Sequence, residues 1–221
     1  MALGIRGIRD NVRTYVQNEI QGTNRRGVPA SVAGTKGPKG GRPLRRHALD
    51  SAQATAIGIS RCQGFWVIYP RYRAAWESGG EFLERSPHED ILDIIDGLPR
   101  GMEEIAFGRR FRLSPDKIFV IGGSFGGAAA ILASPDPRVS GVIENCPVVD
   151  WTILDRSEKV ETSKENYAEY IRKAFGNGYR LSDANWEKLR SGTFYNPWHH
   201  RAEITASKVM IFHAKDDPNV P

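Results

Sequence analysis

Lys117 to Ser134, KIFVIGGSFGGAAAILAS, is the stretch on which the reading of this chain turns. Ile118-Phe119-Val120-Ile121 is an unbroken apolar run, mostly β-branched, the pattern of a strand buried on both faces of a parallel sheet. Ala128 to Ala133 are helix formers that run up to the breaker pair Ser134-Pro135. Between them Gly122-Gly123-Ser124-Phe125-Gly126 fits G-x-S-x-G. A strand that reverses into a helix within a few residues strains its backbone, and small neighbours are needed where helix and strand approach. Such a turn holds the Ser124 hydroxyl above the carboxyl edge of the sheet. The free N–H groups of the helix start point at the same place, with that of Phe125 set to hold an oxyanion. The competing readings are a glycine turn that merely packs closely and a phosphate site at a helix N-terminus. The spacing matches neither G-x-G-x-x-G nor G-x-x-x-x-G-K-[ST], which makes nucleotide binding the weaker reading.

Working outward, the 221 residues suffice for one domain with a substantial core. No run approaches the ~18 apolar residues that a membrane span needs, and MALGIRGIRD has no signal-peptide core. The expectation is a cytoplasmic protein with no membrane partner. Cys62 and Cys146 read as two buried thiols rather than a disulfide or a metal site, and no metal or cofactor is expected. The net charge of +5 is uneven: residues 1–50 hold ten Lys/Arg against three Asp/Glu, a net of +7, which leaves −2 for the rest. The basic part has no interleaved aromatic residues and no nucleic-acid motif, so nucleic acid is not an expected partner.

Residues 1–49 therefore read as a basic, Gly/Pro-rich segment, with an edge strand or a short helix around Val12, Tyr15 and Val16. Residues 50–221 read as the folded domain. Asp50 to Cys62 suits a short amphipathic helix, and Phe65 to Tyr69 a strand stopped by Pro70. Ser86 caps a helix that has Pro87 at its first position and Ile91, Ile94, Ile95 and Leu98 at helical spacing. Val139 to Val149 is a further strand. Helical patterns at Lys164–Phe175 and Asp183–Leu189 mark an insertion over about 151–200, and Lys208 to His213 is the last strand. Strands alternating with helices imply a mostly parallel, doubly wound α/β sheet with helices on both faces and a site at the strands' carboxyl ends.

Ser124 ends one such strand, and Asp216 and Asp217 follow a strand two places later. A serine hydroxyl needs an imidazole to take its proton, and the imidazole needs a carboxylate to orient it. Asp217 is the first candidate for that carboxylate and Asp216 the second. GGSFGG, PRYRAAWESGGEF, PVVDW and FHAKDDPNVP together resemble the prolyl oligopeptidase family of α/β-hydrolases, including its acylaminoacyl-peptidase and esterase-like relatives, over about residues 50–221. The resemblance implies the α/β-hydrolase fold, maps the family's serine to Ser124, and places its acid at Asp217 in the pattern H-G-x-x-D-x-x-V-P, with Ala214 where the glycine stands. The family's His-Gly-Gly-Pro loop is not recognisable; only His47-Ala48 stands near its place. The family's histidine lies beyond the aspartate, so the chain reads as C-terminally short.

That leaves the source of the base open. His213 reads as structural, His88 as a surface residue of a helix's first turn, and His47 as part of the basic segment. His199 and His200, in NPWHHRAE, are the candidates for the base. The expected activity is serine hydrolysis of a small ester, or of a peptide or amide bond, through an acyl-enzyme on Ser124. The alternative is a catalytically impaired or truncated relative with a binding role. An uncovered sheet edge would admit a homodimer.

Overall fold

The computed structural model describes residues 3–6, 13–17, 66–76, 78–104, 110–152, 172–173, 175–217 and 220. The chain divides into two units, residues 1–3 with 15–69 and residues 4–14 with 70–221. Strands β1 (Leu3–Arg6) and β2 (Arg13–Gln17) open it, and β3 (Val67–Arg71) follows. The first unit holds most of β2 and β3. Of the two expectations for the N-terminus, an edge strand or a short helix, a strand forms at β2, but it has a neighbour on each side rather than lying at an edge. The basic loop, His47, Cys62 and the helix expected over Asp50 to Cys62 lie outside the described residues. Pro70 does not stop β3, which continues to Arg71. As an end strand of its sheet, β3 can do without one outward N–H.

The second unit holds the elements that position the site. Helix α1 (Pro87–Arg100) starts at Ser86, whose backbone N–H is donated to Glu89 Oε1 at 3.2 Å, with Pro87 at the first position. Its apolar stripe buries Ile94, Ile95 and Leu98. Strands β4 (Met102–Glu104) and β5 (Arg110–Phe111) form an antiparallel ladder with β1, pairing Ile5 with Glu104 and Met102 with Phe111. Then come β6 (Ile118–Ser124), α2 (Phe125–Ala133), β7 (Val139–Pro147), α3 (Asp183–Arg190) and β8 (Val209–Phe212). Of the two helical patterns in the insertion, α3 realises the second; the first is described only at 172–173 and 175.

Strands β6, β7 and β8 lie side by side and parallel. Strand polarity thus brings the end of β6, where Ser124 stands, to the same sheet edge as the loop after β8. The register puts Val120, Val142 and Val209 on one face, where they pack with Ile95 of α1 and Ala130 of α2. Three consecutive alanines, Ala128 to Ala130, are fully buried, and their small side chains let α2 sit close to the strands.

The other face corrects the expectation of a strand buried on both sides. Phe119 and Ile121 of β6 are 45% and 53% exposed, and Met210 and Phe212 of β8 are 57% and 56% exposed. An apolar run shows that a strand can be covered twice, not that it is. The described helices α1 and α2 cover one side only.

Candidate active site

Ser124 has φ +49° and ψ −121°, a backbone conformation that L-residues rarely adopt. The strand β6 delivers it and α2 begins at the next residue, so the change of direction falls on Ser124 itself. Its side chain is exposed, as the G-x-S-x-G spacing predicts. Two glycines make the turn possible. A methyl group on Gly122 would stand 2.5 Å from the Gly126 carbonyl oxygen, and one on Gly127 would stand 2.5 Å from Pro147 Cβ. Both lie inside any tolerated contact. The Ser124 carbonyl accepts the Val148 N–H at 3.1 Å, tying the turn to the chain leaving β7.

A second strained residue lies beside the first. Gly123 pairs with Asn145 and Ser124 with Pro147, so Cys146 is the extra residue of a bulge and takes φ +47°. β7 ends at Pro147 rather than at Val149 because its partner β6 gives way to α2 after Ser124.

Phe125 opens α2, and its ring is a hub of aromatic packing. Phe82, Trp151, Phe175 and Tyr195 have ring centroids 4.9 to 5.6 Å from it. The buried Tyr195 hydroxyl donates to the Phe125 carbonyl, and Trp151 Nε1 donates to the Tyr195 carbonyl at 2.7 Å. The start of α2 is therefore held from the front by a loop far along the chain. The first N–H groups of a helix have no acceptor in a preceding turn.

Geometry separates the two candidate acids. Asp216 is exposed, whereas Asp217 is half-buried and engaged. Its Oδ1 accepts the Val220 N–H at 3.0 Å, and the Val220 carbonyl in turn accepts His213 Nε2–H at 2.8 Å. An imidazole nitrogen bonded to a carbonyl must carry the proton, so Nε2 of His213 is the donor in this contact. His213 Nε2 is also 3.9 Å from Asp217 Oδ2. The Cys146 thiol completes the group: its hydrogen bond to Asp217, with burial second, holds it above its ordinary pKa, so it stays a thiol. Polar atoms of Cys146, His213 and Asp217 all lie within 4.8 Å of one another. Hydrogen bonds within the loop after β8 and from the Cys146 thiol of β7 account for this convergence.

The candidate bases are engaged elsewhere. His200 uses one ring nitrogen on the Thr193 carbonyl at 3.1 Å and the other on Glu203 Oε1 at 3.2 Å. His199 is exposed, with its ring edge-on to that of His200. Among the described residues neither imidazole is hydrogen-bonded to Ser124. His88 is not a surface residue: it is half-buried, Nδ1 lies 2.7 Å from Ser86 Oγ, and burial lowers its pKa. The capping serine draws the ring back over the helix start.

Two features escaped the sequence reading. One is Glu144, wholly buried on the helix-facing side of β7. The other is the loop residue Tyr195, whose contact with Phe125 spans 70 positions. For Glu144 the available signal was a carboxylate at an inward position of an otherwise apolar alternation.

Among the described residues no helix is long and apolar enough to cross a membrane. Comparison with curated proteins gives no match. Among solved structures, a monoacylglycerol lipase from Paleococcus ferrophilus is similar at 15% identity and a TM-score of 0.38, over 76% of this chain and 80% of that one. The model of the prolyl oligopeptidase family matches residues 53–221. With most of its length matched, from before β3 through the elbow to the loop after β8, the chain belongs to the prolyl oligopeptidase family, serine-type hydrolases built on the α/β-hydrolase fold.

Proposed function

We propose that the protein cleaves carboxylic esters by forming an acyl-enzyme on Ser124. The observation that carries this reading is the exposed Ser124 in a left-handed backbone conformation at the junction of β6 and α2. In the first step Ser124 Oγ attacks the ester carbonyl carbon and gives up its proton. The carbonyl oxygen becomes an oxyanion facing the Phe125 N–H, and collapse expels the alcohol, which takes up a proton. Water then attacks the acyl carbon and restores the Ser124 hydroxyl. Asp217 is the carboxylate that orients the imidazole serving as base. Esters are preferred over amides because the alcohol is the better leaving group. The substrate is a small molecule, and no metal or cofactor takes part in these steps.

The test is labelling with a fluorophosphonate probe, followed by hydrolysis of p-nitrophenyl esters. Wild-type protein should label on Ser124, and Ser124→Ala should label nowhere and lose about 10⁴-fold or more in turnover. Equal labelling of the two proteins would overturn the reading. His199→Ala and His200→Ala, tested in the same way, identify the base: the one that matters should cut labelling by orders of magnitude, and an unchanged rate in both removes them from the mechanism.

A second reading is favoured by the absence, among the described residues, of an imidazole bonded to Ser124: the elbow binds a carbonyl ligand without turning it over. It predicts saturable binding of esters with no burst of p-nitrophenol.

A further inference from the structure

Glu144 sits where the strand, the turn and the helix of the elbow meet. The register places it directly opposite Gly122, two residues before Ser124. Its Oε2 lies 2.8 Å from the point where a Gly122 side chain would begin and 2.7 Å from the corresponding point on Gly127. The carboxyl group thus fills the angle between β6 and α2 that these two glycines leave open. It is 0% exposed, and among the described residues both of its oxygens lack a hydrogen-bond partner. Among the described residues nothing around it compensates a charge. Strand β6, helix α2 and strand β8 contribute no charged side chain, and Ile211 is its neighbour on β8. Of the titratable groups packed nearby, Tyr195 is held neutral by burial, Tyr72 is a phenol with Oη near Gly126, and Asp90 is already paired with Arg73.

A buried, unpaired carboxylate would cost several kcal/mol, whereas the protonated acid is a compact group with far less to desolvate. Burial accordingly pushes its pKa up to about 9.

We propose that Glu144 is a positioning residue of the elbow: as an uncharged acid it props the angle between β6 and α2 and holds Ser124 in its attacking conformation. The inference rests on Ser124 being the nucleophile. An ionised Glu144 would put a negative charge behind the N–H groups that must receive the oxyanion, and would also draw water toward the crevice. Both effects oppose attack.

Three proteins test this: wild type, Glu144→Gln and Glu144→Ala. Gln is nearly isosteric and permanently neutral; Ala empties the angle. The rate of fluorophosphonate labelling should be similar in wild type and Glu144→Gln at neutral pH. Glu144→Ala, checked for folding by circular dichroism, should label at least about ten-fold more slowly, since small displacements of a nucleophile cost that much or more. Above pH 9 wild type should slow further than Glu144→Gln. If Glu144→Ala is folded and labels at the wild-type rate, or if the two alkaline profiles coincide, the proposal fails. If Glu144→Ala does not fold, the wild-type and Gln profiles decide alone. Infrared difference spectra of wild type and Glu144→Gln give a readout independent of catalysis. A protonated-carboxyl C=O band at pH 7, absent in Gln, is expected, and its absence in wild type overturns the proposal. Should wild type never label, the nucleophile reading fails on its own, and the infrared band still decides the state of Glu144.

Discussion

Two regions of this protein bury carboxyl groups, and they deal with the burial differently. In the loop after β3, Arg73 is itself buried, and its Nε and Nη2 reach Asp90 Oδ1 at 3.1 and 2.7 Å, with Nη2 also 3.0 Å from Asp93 Oδ2. The Arg73 backbone N–H adds a bond to Asp90 Oδ2 at 2.8 Å. Beneath the elbow, Glu144 has no such partner among the described residues. Burial raises the Asp90 pKa even against the pull of Arg73, and it raises that of Glu144 much further. The first region solves the burial by pairing charges, the second by giving up the charge. Pairing is a rigid solution, suited to anchoring a loop on α1. Neutralisation leaves the helix start free of competing charge, as a site for an oxyanion requires.

Removing the partner in the first region should have the largest effect on stability. Arg73→Met strands Asp90 in the interior, while Asp93 keeps Arg85 at 3.5 Å, and breaking a buried pair from one side costs about 3–5 kcal/mol. Urea unfolding at pH 7 measures it; a loss below about 1 kcal/mol would mean that the two carboxyls can reach water and that the contrast with Glu144 is false.

The second region should announce itself through pH. The folded protein holds the Glu144 proton up to about pH 9, whereas an ordinary glutamate, as in the unfolded chain, loses it near 4.5. Between these values the folded state binds the extra proton, so unfolding free energy falls as pH rises. Glu144's share of stability is complete below about pH 4.5 and is gone once pH passes about 9. The slope expected from one such group is about 1.4 kcal/mol per pH unit. Glu144→Gln should remove that slope whatever its constant offset, while the Asp90 contribution remains in both proteins. Parallel stability curves for wild type and Gln from pH 5 to about 8 would show that Glu144 is ionised in the fold.

The two regions also differ in how much of them could be read in advance. The elbow was legible because its signal is local: four apolar residues, a glycine turn and an alanine run fix strand, bend and helix, and the serine falls on the bend. Helix α1 was legible for the same reason, from Ser86-Pro87 and the spacing of its isoleucines. Asp217 could be set above Asp216 only through the family pattern; the bond its carboxylate accepts from Val220 depends on how the loop folds back, which the sequence does not spell out. What could not be read depends on distant segments. The exposed face of Phe119 and Ile121 is a matter of which helices arrive, which an apolar run does not encode. The Cys146 bulge comes from a register shift against β6, and the Tyr195 brace from a loop 70 residues away. Glu144 lay in plain view, but a carboxylate in a strand reads as an outward position until the partner strand fixes the face.

Arg138 supplies the smallest contrast and a control for the first. It too bridges two aspartates, with Nη1 2.5 Å from Asp96 Oδ1 and Nη2 2.7 Å from Asp136 Oδ2, but its side chain is 44% exposed. The hydrogen bond from Arg138 holds Asp136 below the usual carboxylate range, so this contribution is present above the ordinary pKa of Asp136 and fades as pH falls through the lowered one. Water screens the exposed pair, and Arg138→Ala should cost at most about 1 kcal/mol. Salt sharpens the distinction. Raising ionic strength shortens the reach of exposed charges and should erase the Arg138→Ala penalty, while the Arg73→Met penalty, set by desolvated groups, should persist. If both penalties fell together with salt, Arg73 would be solvated, and the contrast between its paired carboxylates and Glu144 would fail.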